Sequence, residues 1–121
     1  MTALLDTSVL TSAHLPTEAL GEKWAVSVVA IGELETGVVM AGDPIVRAAR
    51  LRRLTSILDV AVVIPVDRAV SSRYALLRAA SARRPTNDLW IAATALAHDL
   101  LLVTRDRTQA TLPHIRASLV S

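Results

Sequence analysis

Short apolar runs alternate along the chain with longer segments in which apolar residues recur every three or four positions. A short apolar run is typical of a β-strand, whereas the longer period is typical of an amphipathic helix. We predict strands at residues 2–5, 24–29, 60–64 and 100–104, and a weaker last strand at 115–120. We predict one helix that begins after Asp6 and further helices at about residues 30–41, 44–58, 67–82 and 86–97.

The alternation of strands and helices also predicts how these elements are connected. Strand-helix-strand units pair in parallel through right-handed crossovers, so we expect one three-layer α/β/α domain, residues 1–121, with a mainly parallel sheet of four to five strands. The run at 60–64 is continuously apolar and is expected to be buried on both faces. Open parallel sheets bind ligands beyond the carboxyl ends of their strands, which makes polar residues there candidate site residues.

Helix boundaries and faces can be predicted in more detail for three segments. Pro44 is expected at the first position of its helix, Asp67 is expected to cap the next one, and Thr86 or Asn87 the one after. In the helix at 44–58, the apolar residues are expected to face the core, opposite the arginines. The apolar positions are Ile45, Ala48, Ala49, Leu51, Leu54, Ile57 and Leu58, and the arginines are Arg47, Arg50 and Arg53.

Composition limits the available chemistry. The 121 residues are 52% hydrophobic, which is enough for one core, and include no cysteine, so a metal must be bound by oxygen or imidazole. The three histidines show no metal-ligand spacing. No signal segment and no bilayer-spanning run is visible, so we expect a soluble, cytoplasmic protein.

The charge balance is mildly basic, +2 at pH 7, and every cationic side chain except Lys23 is an arginine. Arginine suits bidentate phosphate contacts, although an arginine bias also follows from the base composition of a genome. Aromatic residues are scarce, with no Phe, so stacking platforms for bases are missing. A nucleic-acid ligand would therefore be bound mainly through its backbone.

Four acids are predicted at one end of the sheet. Asp6 ends the first apolar run, Asp106 follows the fourth, Asp88 lies in the first turn of a helix, and Glu33 lies about one turn into another. Two like charges about 4 Å apart repel by roughly 1 kcal/mol in water and by about 4 kcal/mol at the effective dielectric constant of a protein surface. Such a cluster requires a compensating cation.

Oxygen ligands favour a hard divalent ion, Mg²⁺ or Mn²⁺ in its place. A bound ion lowers the pKa of a water ligand and neutralises charge on a phosphate, and two ions can hold the attacking and leaving oxygens. The acids therefore indicate hydrolysis of a phosphodiester.

Each acid also has a structural interpretation: Asp6 and Asp88 as helix caps, Asp106 as a turn residue and Glu33 on a solvated helix face. The prediction depends on their convergence.

Four stretches of the chain resemble the PIN-domain family, specifically its VapC-type ribonuclease toxins. They are Leu4-Leu5-Asp6-Thr7-Ser8-Val9, Ser27-Val28-Val29-Ala30-Ile31-Gly32-Glu33-Leu34, Asn87-Asp88-Leu89-Trp90-Ile91-Ala92-Ala93-Thr94-Ala95 and Leu102-Val103-Thr104-Arg105-Asp106. The turn Ile64-Pro65-Val66-Asp67 is similar as well. Together these stretches extend over nearly the whole chain.

The resemblance implies a parallel-sheet fold, a homodimer, Mg²⁺ bound chiefly through Asp6 and Asp88, and cleavage of structured RNA such as tRNA or rRNA. It also implies a VapB-type antitoxin that inserts a segment into the active-site groove, and binding of operator DNA through the antitoxin complex only. Thr104 matches a hydroxyl residue that the family often places beside the site, and Arg105 and Arg107 are candidates for phosphate contacts or for solvated surface charges.

The sequence departs from the family pattern at two places. Ala30 replaces a common hydroxyl residue, which removes one hydrogen bond near the site. Relatives often carry a further acid or Asn shortly after the last Asp, and residues 107–111 contain neither. The number of metal ions, one or two, is left open.

Three rival functions remain open at this stage. A receiver-like signalling domain would need paired acids after the first strand, an Asp after the third and a Lys after the fifth, but Asp6-Thr7-Ser8 lacks the pair and Lys23 is misplaced. A non-catalytic PIN-like binding module would not need all four acids. A DNA-directed nuclease of related fold would use the same carboxylates.

Overall fold

The computed structural model describes residues 1–15 and 23–121. Within them, five strands and six helices follow one another along the chain. They are β1 Ala3–Leu5, α1 Thr7–Leu10, β2 Ala25–Ser27, α2 Val28–Val39, α3 Pro44–Val60, β3 Val62–Ile64, α4 Arg68–Ala80, α5 Thr86–Ala97, β4 Leu101–Thr104, α6 Arg107–Ala110 and β5 Ala117–Leu119. None of these helices is both long and apolar enough to cross a membrane.

The five strands form one sheet in the order β3-β2-β1-β4-β5, and all four pairings are parallel. The predicted three-layer α/β fold with a parallel sheet is confirmed. β1 lies at the centre of the sheet, where Leu4 and Leu5 are completely buried. The polar residues that follow β1 and its neighbour β4 therefore lie beside each other at the carboxyl edge.

Local capping explains several helix boundaries. Asp43 accepts a hydrogen bond from the backbone N–H of Ile45, with Pro44 as the first helical residue of α3. Asp67 accepts one from Val70 and caps α4, as predicted. The predicted cap of α5 is wrong: Pro85 occupies the cap position without a side-chain bond, and Thr86 begins the helix.

All five strands are shorter in the structure than predicted, and neighbouring helices shorten those predicted at 24–29 and 60–64. The strand predicted at 24–29 ends at Ser27, because the Ser27 hydroxyl accepts a hydrogen bond from the N–H of Val29 and starts α2 there. The strand predicted at 60–64 begins only at Val62, since α3 extends to Val60. Its predicted burial on both faces is also wrong. Val62 and Val63 are 40% and 37% exposed because β3 lies at the edge of the sheet.

The predicted orientation of α3 is wrong in part. Leu54 and Ile57 are buried as expected, but Ile45 is 78% exposed and Leu51 is 50% exposed. The arginines bind the protein instead of pointing only to solvent. Their guanidinium groups donate to backbone carbonyls near the ends of α1 and α2, which lack helical partners: Arg47 to Ala41, Arg50 to Gly37, and Arg53 to Leu10 and Ala13.

Candidate functional site

The candidate site is built on the carboxyl ends of the two central strands. Leu5 of β1 pairs with Val103 of β4, and the next backbone N–H, that of Asp6, donates to the carbonyl of Val103 at 2.9 Å. Asp6 and Thr104 therefore lie at the same level of the sheet. The chain turns into α1 directly after Asp6 and into α6 directly after Asp106.

The two carboxylate oxygens of Asp6 have different surroundings. Oδ2 accepts hydrogen bonds from the hydroxyls of Thr104 at 2.7 Å and Ser8 at 2.9 Å. Oδ1 is buried and has no hydrogen-bond partner among the described residues, and the whole residue is only 3% exposed. Since buried polar atoms are almost always satisfied, the unpartnered oxygen is available to accept a cation or an external hydrogen-bond donor.

Two hydroxyl groups connect Asp6 to the loop after β4. Thr104 Oγ1 accepts a hydrogen bond from the N–H of Asp106 at 3.0 Å, and Ser8 Oγ accepts one from the N–H of Arg105 at 2.9 Å. Each hydroxyl has a single proton, which it donates to Asp6, so its orientation is determined from both sides. Thr104, the predicted supporting residue, thereby holds Asp6 in one orientation relative to the turn that carries Asp106.

Asp106 has both a structural and a site-facing oxygen. Its Oδ1 accepts hydrogen bonds from the backbone N–H groups of Thr108 and Gln109 and caps α6, while Oδ2 faces Arg84 at 3.2 Å. Partial burial is the largest single influence and raises the pKa of Asp106, but the bonds from Gln109, Arg84 and Thr108 together outweigh it. The pKa of Asp106 is lowered as a result.

Asp88, in the first turn of α5, has a pKa shifted in the opposite direction. Burial raises the pKa of this carboxyl most strongly, Arg84 lowers it, and the charges of Asp6, Glu33 and Asp106 each raise it further. The net pKa is raised. Each of the other three predicted acids is thus close enough to act electrostatically on Asp88.

Glu33 lies on α2 and is tied to the helix that begins next to Asp6. The hydroxyl of Thr7, the first residue of α1, donates to Glu33 Oε1 at 2.7 Å. Glu33 is half-buried, so it does not lie on a fully solvated helix face. All four predicted acids therefore lie in one neighbourhood at the carboxyl edge of the sheet.

Arg84 and Gln109 belong to this neighbourhood, although the sequence did not single them out as site residues. Arg84 Nη2 lies 2.9 Å from Asp88 Oδ2, 3.2 Å from Asp106 Oδ2 and 2.9 Å from Gln109 Oε1. Gln109 is completely buried, and its Nε2 donates to the carbonyl of Asp88 at 2.7 Å. Residues 107–111 contain no acid and no Asn, but Gln109 supplies a side-chain amide there.

The donor groups fit a hard divalent ion, since all four acids offer carboxylate oxygens and Asp6 Oδ1 is buried without a partner. As the side chains are placed, no three acidic or histidine side chains in the described part of the chain could hold one ion together. The guanidinium of Arg84 lies between two of the four acids. The composition of the site therefore suits a metal, while Arg84 occupies part of the space between Asp88 and Asp106.

A cavity of about 530 Å³ opens beside the acids. It is bordered by Thr7 and Glu33 on the acid side and extends between α1, α2 and α3 to Arg50 and Arg53. Of the four acids, Glu33 alone borders this cavity, and the guanidinium groups of Arg50 and Arg53 lie along its lining as well.

Known proteins that are similar to this chain share one family. A family model described as PIN domain matches residues 3–115. The chain is 40% identical over 121 residues to Ribonuclease VapC4 of Mycobacterium tuberculosis, covering 93% of this chain and 92% of that protein. It is 38% identical over 117 residues to Ribonuclease VapC5 of the same organism, covering 90% and 86%. A crystal structure of VapBC-5 from Mycobacterium tuberculosis, a member of the VapBC family of toxin-antitoxin systems, matches with a TM-score of 0.84 at 37% identity and covers 98% of both chains.

Proposed function

The chain belongs to the PIN-domain family, and on this premise we propose that it is a divalent-metal-dependent endoribonuclease, the toxin of a VapBC-type toxin–antitoxin pair. The names of two relatives, Ribonuclease VapC4 and Ribonuclease VapC5, support the activity. The observation that carries the metal dependence is the buried, unpartnered Oδ1 of Asp6 among three further carboxylates.

In the proposed mechanism Asp6, Glu33, Asp88 and Asp106 would hold Mg²⁺, or Mn²⁺ in its place. When bound, the ion supplies a water of lowered pKa and neutralises charge on the scissile phosphate. Thr104 and Ser8 fix the Asp6 carboxylate so that Oδ1 remains available for the ion. Thr7 orients Glu33 through Oε1, and the amides at the start of α6 orient Asp106. These bonds orient the carboxylates of Asp6, Glu33 and Asp106, while bringing three acids to one ion would still require side-chain movement.

Recognition of RNA is proposed to use backbone phosphates. Arg105 and Arg107 are exposed immediately after β4, on either side of Asp106. Their position suits phosphate contacts next to the carboxylates. Structured RNA such as tRNA or rRNA is the proposed substrate.

The proposed protein partners are a VapB-type antitoxin and a second copy of the chain. The match to the VapBC-5 structure supports the first. Exposed large apolar side chains on α3 and β3, among them Ile45, Leu51 and Val62, offer apolar surface for a protein partner. Binding to operator DNA is proposed only for the antitoxin complex.

The experiment that tests the function measures cleavage of tRNA and rRNA by the purified protein with Mg²⁺, with Mn²⁺ and in excess EDTA. We expect cleavage only with a divalent ion, and none by Asp6→Asn. Asp59→Asn is the matched control, because Asp59 is an exposed acid on α3 outside the site. Circular dichroism checks that each variant is folded.

Cutting in EDTA, or full activity of Asp6→Asn, would refute the assignment. Cleavage of DNA but not of RNA would identify a DNA-directed nuclease instead. Binding of RNA without cleavage under all metal conditions would identify a non-catalytic PIN-like module. Expression in cells should arrest growth for the wild type and for Asp59→Asn, but not for Asp6→Asn.

A further inference from the structure

We propose that Arg84 is an internal counter-cation that competes with the divalent ion for the carboxylates of Asp88 and Asp106, and that it must leave them when the ion binds. This inference rests on the proposed function, because it assumes that these carboxylates are metal ligands. It assigns to Arg84 the role of limiting the affinity of the site for a metal ion, which the carboxylates alone do not imply.

The geometry around Nη2 of Arg84 is that of a cation held by several oxygens. This one nitrogen lies within hydrogen-bond distance of Asp88 Oδ2, Asp106 Oδ2 and Gln109 Oε1. Mg²⁺ requires oxygen ligands at about 2.1 Å, well inside the spacing that a guanidinium nitrogen imposes. An ion that these two carboxylate oxygens held in the space where Nη2 now lies would therefore have to displace the guanidinium.

The surroundings of Arg84 favour movement of its side chain away from the acids and into solvent. Its side chain is only 17% exposed, yet Nε is buried and has no hydrogen-bond partner within the described residues. A buried unpaired N–H of a charged group is unfavourable, and water would satisfy it if the side chain moved outward. The arginine thus neutralises the acids while one of its own donors remains unsatisfied.

The backbone that carries Arg84 is held independently of the acids. Arg78 Nη1 donates to the carbonyls of Ala82 and Arg84 at 3.0 and 2.9 Å, and the N–H of Arg84 donates to the carbonyl of Ser81. These bonds fix the turn between α4 and α5. Only rotation of the Arg84 side chain is then required to release Asp88 and Asp106.

Gln109 is also held by a hydrogen bond that does not involve Arg84. Its Nε2 is bound to the carbonyl of Asp88, which leaves Oε1 as the atom that faces Arg84. Departure of the guanidinium would leave Oε1 facing the carboxylates of Asp88 and Asp106. The competing cation is therefore removable without dismantling the rest of the site.

The test measures Mn²⁺ binding to the purified full chain without RNA, by isothermal titration calorimetry and by electron paramagnetic resonance. We expect Arg84→Met to bind Mn²⁺ about tenfold more tightly than wild type, which is the equivalent of one charge-assisted hydrogen bond that no longer has to be broken. Arg84→Lys keeps a cation at the position and should bind with affinity close to wild type. Arg83→Met removes a neighbouring exposed arginine and is the matched control, with unchanged affinity.

A second measurement follows thermal unfolding with and without Mn²⁺. In EDTA, Arg84→Met should melt below wild type because the acids lose their counter-charge, whereas its gain on adding Mn²⁺ should exceed that of wild type. A merely structural arginine predicts the opposite, weaker Mn²⁺ binding by Arg84→Met. That result, or equal affinity, overturns this inference alone, whereas a wild type that binds no Mn²⁺ overturns the proposed function itself.

Discussion

At the scale of single residues, the site depends on how each carboxylate is held. The hydroxyls of Thr104 and Ser8 bind only one oxygen of Asp6, so the other is presented to the interior of the site. Asp106 divides its two oxygens between the α6 cap and Arg84. An acid can therefore have a structural role and a site role at once, one on each oxygen.

We expect Thr104→Val to destabilise the protein by about 1–3 kcal/mol, because it removes the donor to Asp6 and leaves the N–H of Asp106 without its acceptor. Thr104→Ser should retain most of the stability. Urea unfolding in EDTA measures the difference. Thr55→Val, at an exposed position on α3, is the control, and an equal loss in that variant would contradict the argument.

The shifted pKa values predict opposite pH dependences for two variants. Burial raises the pKa of Asp88, so its contribution to stability is present below the unfolded pKa and is lost as the pH rises through the folded pKa. In Asp88→Asn the side chain does not titrate, so this loss of stability with rising pH is absent. In EDTA, its stability relative to wild type should therefore increase as the pH rises from the unfolded pKa of about 4 through the raised pKa of the folded state.

For Asp106→Asn, the stability relative to wild type should change with pH in the opposite direction. Although burial raises its pKa, hydrogen bonds and Arg84 outweigh that effect, so the pKa is lowered. Its contribution is present above the unfolded pKa and is lost as the pH falls through the folded pKa. The stability of Asp106→Asn relative to wild type should therefore decrease as the pH rises from below the folded pKa to the unfolded pKa of about 4. Urea unfolding at several pH values tests both variants, and slopes of equal sign would contradict the assignment.

At the scale of elements, α3 uses its arginines as internal donors. Arg53 donates to the carbonyls of Leu10 and Ala13, which joins α3 to the end of α1. On the opposite side, Ile45 and Leu51 remain exposed. The side of α3 that carries the arginines therefore packs partly against the protein. The spacing of its apolar residues alone would not predict this.

We expect Arg53→Met to lower the free energy of unfolding by about 1–2 kcal/mol, because two backbone carbonyls lose their donor. Arg52→Met removes an equal charge from an exposed neighbour on the same helix and should change stability little. Thermal and urea unfolding of the two variants provide the comparison. Equal stability of both variants would show that the Arg53 bonds do not stabilise the fold.

At the scale of the whole molecule, the fold collects acids from separate elements at one edge of the sheet. Asp6 follows β1, Glu33 lies on α2, Asp88 lies in the first turn of α5, and Asp106 precedes α6. Their mutual repulsion opposes folding unless a cation compensates for it. Arg84 provides part of that compensation without metal, and the ion is proposed to provide the rest.

Metal removal should therefore change stability in a residue-specific way. We expect the melting temperature of the wild type to rise with Mg²⁺ and to fall on addition of EDTA. Asp6→Asn should be as stable as wild type or slightly more stable in EDTA, since repulsion is relieved, and should gain little from Mg²⁺. Asp59→Asn should respond like wild type. A full Mg²⁺ response of Asp6→Asn would show that the ion stabilises the protein elsewhere.

The sequence by itself determined the class of fold and the positions of the four acids along the chain. The sequence shows features that depend only on neighbours a few residues away. They include the apolar runs, the helical spacing of apolar residues, the Asp67 cap and the Pro44 break. The expected parallel pairing then predicted that the carboxyl ends of the strands, with the four acids, would lie at one end of the sheet. The PIN-domain resemblance rests on the same local stretches.

Only the tertiary structure decided which face of α3 is exposed, that β3 is an edge strand, and that Arg84 and Gln109 enter the site. Arg84 reaches Asp106 across 22 positions of the chain, and Gln109 reaches Asp88 across 21. Such contacts arise when packed elements bring a donor next to an acceptor that lacks a partner, and no local period encodes them. The physical reason is that hydrogen bonding and charge compensation are satisfied in three dimensions, whereas periodicity records only the direction in which each side chain points.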